Sequence, residues 1–371
     1  MRAVAVFPSK HEVGLIDHPE PKITEPRQAK MRVLEVGVCG TDREITSYQY
    51  GTPPAGFDYL VIGHESLSEV VEVGAEVSRV KPGDLVVMTV RRPCAHSWCM
   101  ACRDRRQDFC YSGDFTERGI KQQHGYMTEF VVEDEQYLSV VPRALRDVAV
   151  LVEPLTIAEK SLEQLWTIQQ RLPWNCPDAP GKASGHCHRA VVLGAGPVGL
   201  LGAMALRVSG FEVTVYSRSP SHQESNDLVS KIGARYMASE THTMDDLANA
   251  AGPIDVIYEA TGASSVAFDA VHTLGPNGVF IFTGVPGLKG PNQVETDRIM
   301  RDMVLNNQAV VGSVNAPPQA FRAAIEHLGA FVERWPDAIR SVITARFPLE
   351  RALEPLTGHG GGVKNVIQVA S

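Results

Sequence analysis

The sequence predicts an α/β protein of two domains: an irregular, largely antiparallel β domain, and a doubly wound parallel sheet covered by helices on both faces. Three observations carry this. Residues 1–152 consist of short β-branched runs cut by Gly and Pro. From residue 190 onward, apolar strand-like segments alternate with helical ones, the pattern of a buried parallel sheet. The first of those strands runs directly into Gly194-Ala195-Gly196-Pro197-Val198-Gly199. A chain of 371 residues has room for more than one core, at roughly 150 residues per domain.

Taken in order, the runs 31–36, 68–73 and 84–88 read as strands, with Val80-Lys81-Pro82-Gly83-Asp84 as a turn before the third. The rhythm changes near Glu153-Pro154, where Leu155, Ala158, Leu162, Leu165 and Trp166 recur at helical spacing over 155–170. A polar loop, 173–188, follows. Strands are then predicted at 190–193, 212–216, 255–259 and 279–284, with a helix at 198–209. The tail from 310 carries a strand, a helix over 316–335 and a last strand at 363–369.

Charge narrows the function classes. Lys and Arg number 35 against 43 Asp and Glu, a net charge of −8, which argues against a partner made of nucleic acid or anionic membrane. No apolar run reaches the roughly 18 to 20 residues of a spanning helix. The first eight residues read as a strand rather than a signal peptide, so the expected location is cytoplasmic.

Seven cysteines, an odd number, do not form a disulfide framework. Cys94, Cys99, Cys102 and Cys110 crowd together at spacing that closes a tetrahedron around a structural zinc, while Cys39, Cys176 and Cys187 stand apart. The arginines beside the cluster are interleaved with Asp104 and Asp108, as on a solvated face. A second metal site is open in character. Cys39-Gly40-Thr41-Asp42 and Gly63-His64-Glu65 offer a thiol, an imidazole and a carboxylate, and Glu153 can add a fourth donor. Catalytic zinc takes such a set and keeps a position for water or substrate.

The G-x-G-x-x-G turn has the context that dinucleotide binding demands: a strand before it and a helix after it, whose N-terminus receives the pyrophosphate. An acid near the end of the second strand would bind a free ribose 2′-hydroxyl. Here the stretch reads Val215-Tyr216-Ser217-Arg218-Ser219, so NADP is expected over NAD, with dual use open.

With these residues assembled, the chain resembles the zinc-dependent medium-chain alcohol dehydrogenases, and among them the glucose 1-dehydrogenase branch. The resemblance runs end to end. It rests on the segments 37–42, 63–65 and 80–84 and the four-cysteine lobe. Branch-specific motifs are Arg91-Arg92-Pro93-Cys94, Glu117-Arg118-Gly119-Ile120, His124-Gly125-Tyr126-Met127, Glu153-Pro154-Leu155 and Gly312-Ser313-Val314-Asn315. It implies a GroES-like catalytic domain over 1–157 and 310–371, with a zinc lobe at 91–112, around a Rossmann domain at 158–309. It further implies two zinc ions per chain, the catalytic one near Cys39, His64, Glu65 and Glu153, the last through water in some members. Thr41 would relay a proton; Thr41, Glu117, Glu153 and Asn315 would bind a sugar. Gly194 to Gly199, Ser217 to Ser219, Thr283, Gly284, Val285, Ser313, Val314, Asn315 and Lys364 would line the cofactor.

The implied reaction removes a hydride from C1 of an aldose, D-glucose foremost, giving the aldonolactone, in a homo-oligomer (dimer or tetramer). Val90 and Ile157 stand where some relatives carry polar sugar contacts, which keeps another polyol or a secondary alcohol open as substrate. A more distant alternative is a zinc-stabilised NADPH sensor, which would not need the Cys39, His64 and Glu65 set.

Overall fold

In the computed structural model, which describes residues 1–178, 184–218, 223–287, 290–358 and 361–370, the β-branched runs of the amino-terminal part become strands. Contacts divide the chain into two units. The first is Met1–Thr156, Asn315–Gly329 and Ile343–Ser371; the second is Ile157–Val314 and Ala330–Val342.

The first unit is built on a seven-stranded sheet. The long strand Gln28–Gly37 lies at its centre, antiparallel to Glu65–Val73 on one side and to Lys364–Gln368 on the other. Val33, Val36, Val70 and Ile367 point into one apolar core with Val4, Ile62, Val90 and Tyr126. A hydrophobic set fixes register, because a one-residue slip would turn it to solvent. That fixed register places Gly37 directly opposite Glu65, so the start of one strand and the end of its neighbour meet. Both chain ends therefore build this unit: the last strand pairs with the third.

The second unit is a six-stranded parallel sheet in the order Arg235–Ala238, Glu212–Ser217, Arg189–Leu193, Ile254–Glu259, Leu274–Phe282, Ala309–Gly312. The second, third and fourth of these strands are buried nearly throughout, as strands covered on both faces must be. The strand order reverses between Arg189–Leu193 and Ile254–Glu259, which opens a crevice at the carboxyl ends of the strands. The strand expected at the start of the carboxy-terminal segment, Ala309–Gly312, is the sixth of this sheet. The helix expected over 155–170 spans Val152–Gln169, and the one expected over 316–335 spans Pro318–Arg334. Among the described residues no helix is long and apolar enough to cross a membrane.

One expectation about the cysteines needs correcting. Cys176 and Cys187, which stand apart in sequence, are joined as a disulfide. The loop folds back so that the Trp174 ring stacks on His188, 4.0 Å between centroids, and this closure brings the two thiols together. Sequence separation alone does not report such a return.

The first unit also buries charge. Glu133, on the strand Phe130–Asp134, accepts from Arg92 Nη2 at 2.5 Å and from Arg118 Nη2 at 2.8 Å, with Arg92 lying 4.0 Å over the Tyr137 ring. Burial opposes ionisation of this carboxyl, but the two guanidinium groups outweigh it and hold it down at about 2, against an ordinary 4.5. A depressed carboxyl stabilises the fold above its unfolded value, and that stability is lost as pH falls through the folded one. Glu133→Gln should cost about 3 kcal/mol in urea unfolding at neutral pH, since two arginines lose their counter-charge. The deficit should shrink between pH 4.5 and 2, where the parent loses the same interaction.

Candidate active site and metal centres

Cys39 begins the short helix Gly40–Thr46, and His64-Glu65 opens the strand Glu65–Val73. Their pairing brings the Cys39 thiol, the His64 imidazole and the Glu65 carboxylate together, with ligand atoms within 4.8 Å of one another. A Cβ at Gly37 would lie 2.1 Å from Glu65 Oε2, so glycine is what admits the carboxylate. His64 and Glu65 are buried and Cys39 half-buried.

Asp42 completes the arrangement. Its Oδ2 accepts the Cys39 backbone N–H at 2.9 Å, and its Oδ1 faces His64 Nδ1 at 3.4 Å from a fully buried position. That contact leaves the other imidazole nitrogen for a metal, the arrangement by which a carboxylate orients a ligating histidine. Burial works against the imidazolium, yet Asp42 and Cys39 raise His64 well above its usual value. A thiol, an imidazole and carboxylates packed in an apolar shell suit a divalent cation that displaces this proton.

Glu153 lies outside the three-donor cluster but within its field. Burial, reinforced by the Glu65 and Asp42 charges, pushes its carboxyl up to about 7, with His64 and Lys364 pulling the other way. Thr41 is half-buried in the first turn of the same helix as Asp42. Lys364, expected along the cofactor, is buried beside the metal donors. Its Nζ donates to the Val38 carbonyl at 3.1 Å and pairs with Glu65 Oε2.

The thiols of Cys94, Cys99, Cys102 and Cys110 also converge within 4.8 Å. Cys99 and Cys110 sulfurs are 3.9 Å apart, close to the edge of about 3.8 Å that a tetrahedron with zinc–sulfur bonds near 2.3 Å requires. Cys102 Sγ accepts the Cys94 N–H at 3.4 Å, and Cys110 Sγ contacts the Ser112 hydroxyl at 3.3 Å. Despite its desolvation, Cys110 is drawn down to about 6, chiefly by Ser112 and Cys102, whereas burial pushes Cys102 up. A bound cation would let all four sulfurs be thiolates. His96 is turned to Asp114 instead.

The expected cofactor residues of the second unit follow strands of one parallel sheet, so they gather at its carboxyl edge. Gly194 has φ +103°, and Gly199 sits where a Cβ would meet the Gly194 carbonyl at 2.1 Å. Gly196 has nothing within 4 Å of where a Cβ would be, and it caps the helix Pro197–Val208 without a side-chain bond to the free amides. An open backbone at an uncapped helix start is a fitting cradle for a pyrophosphate. Ser217 ends the second strand and Arg218 is exposed just after it; Ser219 lies outside the described residues. Thr283 and Gly284 are fastened to Glu259, whose carboxylate also accepts from Thr261 and Gly262. Ser313 receives a bond from Gln164, and the Val314 carbonyl one from Lys160. Val285 and Val314 are 71% and 52% exposed, apolar surfaces at the edge where a cofactor ring can lie.

Glu117, on the strand Thr116–Arg118 of the first unit, is linked to Asn315: the amide donates to its Oε1 at 3.1 Å. Val90 packs into the apolar core. Sequence reasoning did not assign roles to Asp42, Glu259 or Arg91. The acid three residues into a helix start was the available signal for Asp42, and an acid ending the apolar strand Ile254–Glu259 the signal for Glu259.

Comparison with known proteins identifies the family. Residues 25–143 match the alcohol dehydrogenase GroES-like domain, and residues 146–369 match the glucose dehydrogenase C-terminus. A glucose 1-dehydrogenase of Methanocella arvoryzae is 39% identical over the full length of both chains. One from Thermoproteus tenax is 40% identical over all of this chain and 99% of its own. Among solved structures, Haloferax mediterranei glucose dehydrogenase in complex with NADP, Zn and gluconolactone superposes with a TM-score of 0.87 at 32% identity, covering both chains fully. The chain belongs to the glucose dehydrogenase family of the zinc-dependent medium-chain alcohol dehydrogenases.

Two measurements probe the sites separately. Asp42→Asn should weaken catalytic zinc by about 10- to 100-fold, seen as one zinc per chain lost on dialysis against chelator while the four-cysteine zinc is retained. Gly196→Ala meets no protein atom. It should leave the melting temperature unchanged yet weaken NADP binding by about tenfold, or 1.4 kcal/mol, in a fluorescence titration.

Proposed function

We propose that this protein is a zinc-dependent glucose 1-dehydrogenase that oxidises the C1 hydroxyl of D-glucose with NADP and releases the aldonolactone. The observation that carries it is the convergence of Cys39, His64 and Glu65, oriented by Asp42, in a chain that matches glucose 1-dehydrogenases end to end. Zinc at these residues supplies a Lewis acid that lowers the pKa of an oxygen held against it, and NADP supplies the hydride acceptor.

The chain's own residues do the rest. Thr41, in the first turn of the helix that Cys39 begins, carries the hydroxyl that passes a proton outward. Glu153, its carboxyl raised by burial and by the charges of Glu65 and Asp42, takes or returns that proton and accepts a hydrogen bond from a sugar hydroxyl. Glu117 and Asn315 hold further hydroxyls, since carboxylates and amides suit a polyhydroxyl substrate. The Gly194–Gly199 backbone binds the pyrophosphate, and Ser217 with Arg218 favours a 2′-phosphate, with no acid there to repel it. Cys94, Cys99, Cys102 and Cys110 hold the second zinc, a structural one.

Exposed Met300, Val304 and Leu305 on the helix Thr296–Leu305, beside the edge strand Ala309–Gly312, favour a homo-oligomer. The five free cysteines suit a reducing, cytoplasmic setting, with the Cys176–Cys187 disulfide as the feature that stands against it.

The test is the initial rate of NADP reduction with D-glucose, beside galactose, xylose and a simple secondary alcohol, before and after chelation. Chelator-sensitive turnover with glucose is expected, and His64→Ala should abolish it while NADP still binds. Turnover with the secondary alcohol alone would replace the substrate assignment. Cofactor binding without turnover on any of the four would favour a sensor.

A further inference from the structure

Arg91 is a buried cation that the reaction described above does not use. Its strand, Arg91–Arg92, pairs with Thr116–Arg118 so that Arg91 lies directly opposite Glu117. The guanidinium grips one oxygen of that carboxylate twice: Nε donates to Glu117 Oε1 at 3.0 Å, and Nη2 lies 3.0 Å from the same atom. Asn315 Nδ2 reaches Oε1 as well, at 3.1 Å. Three donors thus converge on Oε1. No described residue bonds Oε2, and that atom is not among the sealed unpartnered ones, so solvent reaches it from an otherwise buried side chain.

The guanidinium is itself held on every side. Its face lies 3.6 Å from the Phe115 ring centroid, and Nη1 donates to the Asp108 carbonyl at 3.2 Å, with the Gln107 carbonyl at 3.5 Å. The Gln107 side chain returns a bond to the Arg91 carbonyl at 3.4 Å. Gln107 and Asp108 belong to the turn that leads into Cys110. The guanidinium therefore bridges the four-cysteine lobe and Glu117.

We infer that Arg91 is a positioning residue for substrate specificity: it locks Glu117 through Oε1 so that Oε2 is presented to one hydroxyl of the sugar. A planar fork holds its donors at fixed, spread positions on a carboxylate and a carbonyl at once, whereas a lysine offers one compact, rotatable ammonium. A carboxylate so fixed accepts a hydroxyl at a set place and rejects analogues that lack it, because its desolvated oxygen is then left unpaired. This inference rests on the proposal that Glu117 contacts sugar.

The experiment compares kcat and KM for D-glucose with those for its 2-, 3-, 4- and 6-deoxy analogues. The proteins are the parent zinc-loaded enzyme, Arg91→Lys and Glu117→Gln. In the parent, one deoxy sugar should be discriminated against much more strongly than the others, and Glu117→Gln identifies it by erasing that discrimination. Arg91→Lys should erase most of the same discrimination, and only that one. Its kcat/KM for glucose should fall at least about tenfold, mostly through KM, with two zinc ions per chain retained. Phe115→Leu, which keeps both charges and frees the guanidinium face, should give a smaller loss in the same pattern, and it serves if Arg91→Lys does not fold.

An equal loss with glucose and every analogue would overturn the inference and make Arg91 merely structural. So would a parent-like pattern in folded Arg91→Lys. A parent that turns over no sugar would instead fail the functional proposal, and discrimination that survives Glu117→Gln would fail the sugar contact itself.

Discussion

Within the first unit, the structure depends on a cluster of ionisable groups taken out of water together. Asp42, His64, Glu65 and Lys364 are buried, and Glu153 half-buried, among apolar strands around the Cys39 thiol. Isolated charges there would be prohibitively costly, so four of the five are tied in pairs: Asp42 to His64, and Lys364 to Glu65. The same arrangement that makes the cluster tolerable makes it fit to hold a metal, because donors already desolvated and aimed at one point lose little on meeting a cation. The opposing pulls on Glu153 are a consequence. Burial raises its carboxyl most and Glu65 and Asp42 add to that, while His64 and Lys364 pull it down.

Strand pairing delivers these groups to their places. Gly37 opposite Glu65 is a register statement, and the last strand, Lys364–Gln368, brings its lysine to the same end of the sheet. A residue more than three hundred positions along the chain thereby becomes part of the metal environment. In the second unit the logic is simpler. Parallel strands all end on one side, so the loops after them share an edge, and Glu259 ties two of those loops together through its carboxylate.

The four-cysteine lobe has a role beyond its own stability. The turn that leads into Cys110 supplies the carbonyls that hold Arg91, and Arg91 holds Glu117. The turn before Cys110 and the carboxylate of Glu117 are thus joined through the Arg91 guanidinium.

Sequence by itself determined what short-range patterning can carry: the dinucleotide turn, the parallel alternation, the four clustered thiols, and the Cys39 and His64-Glu65 donors. These are legible because each is a local motif, whose chemistry depends on neighbours a few positions away. Tertiary structure decided the rest. The placement of Lys364 beside Glu65 required the pairing of the chain's two ends, and the Cys176–Cys187 bond required a loop closing on Trp174 and His188. Likewise, the carbonyl contacts that fix Arg91 come from a turn that folds back across the lobe, and the Asp42 carboxylate gains its partner only when a helix start and a strand start meet. In each case the meaning of a residue is set by a partner distant in sequence. Burial then decides whether that meeting is worth tenths of a kcal/mol, as at a surface, or several.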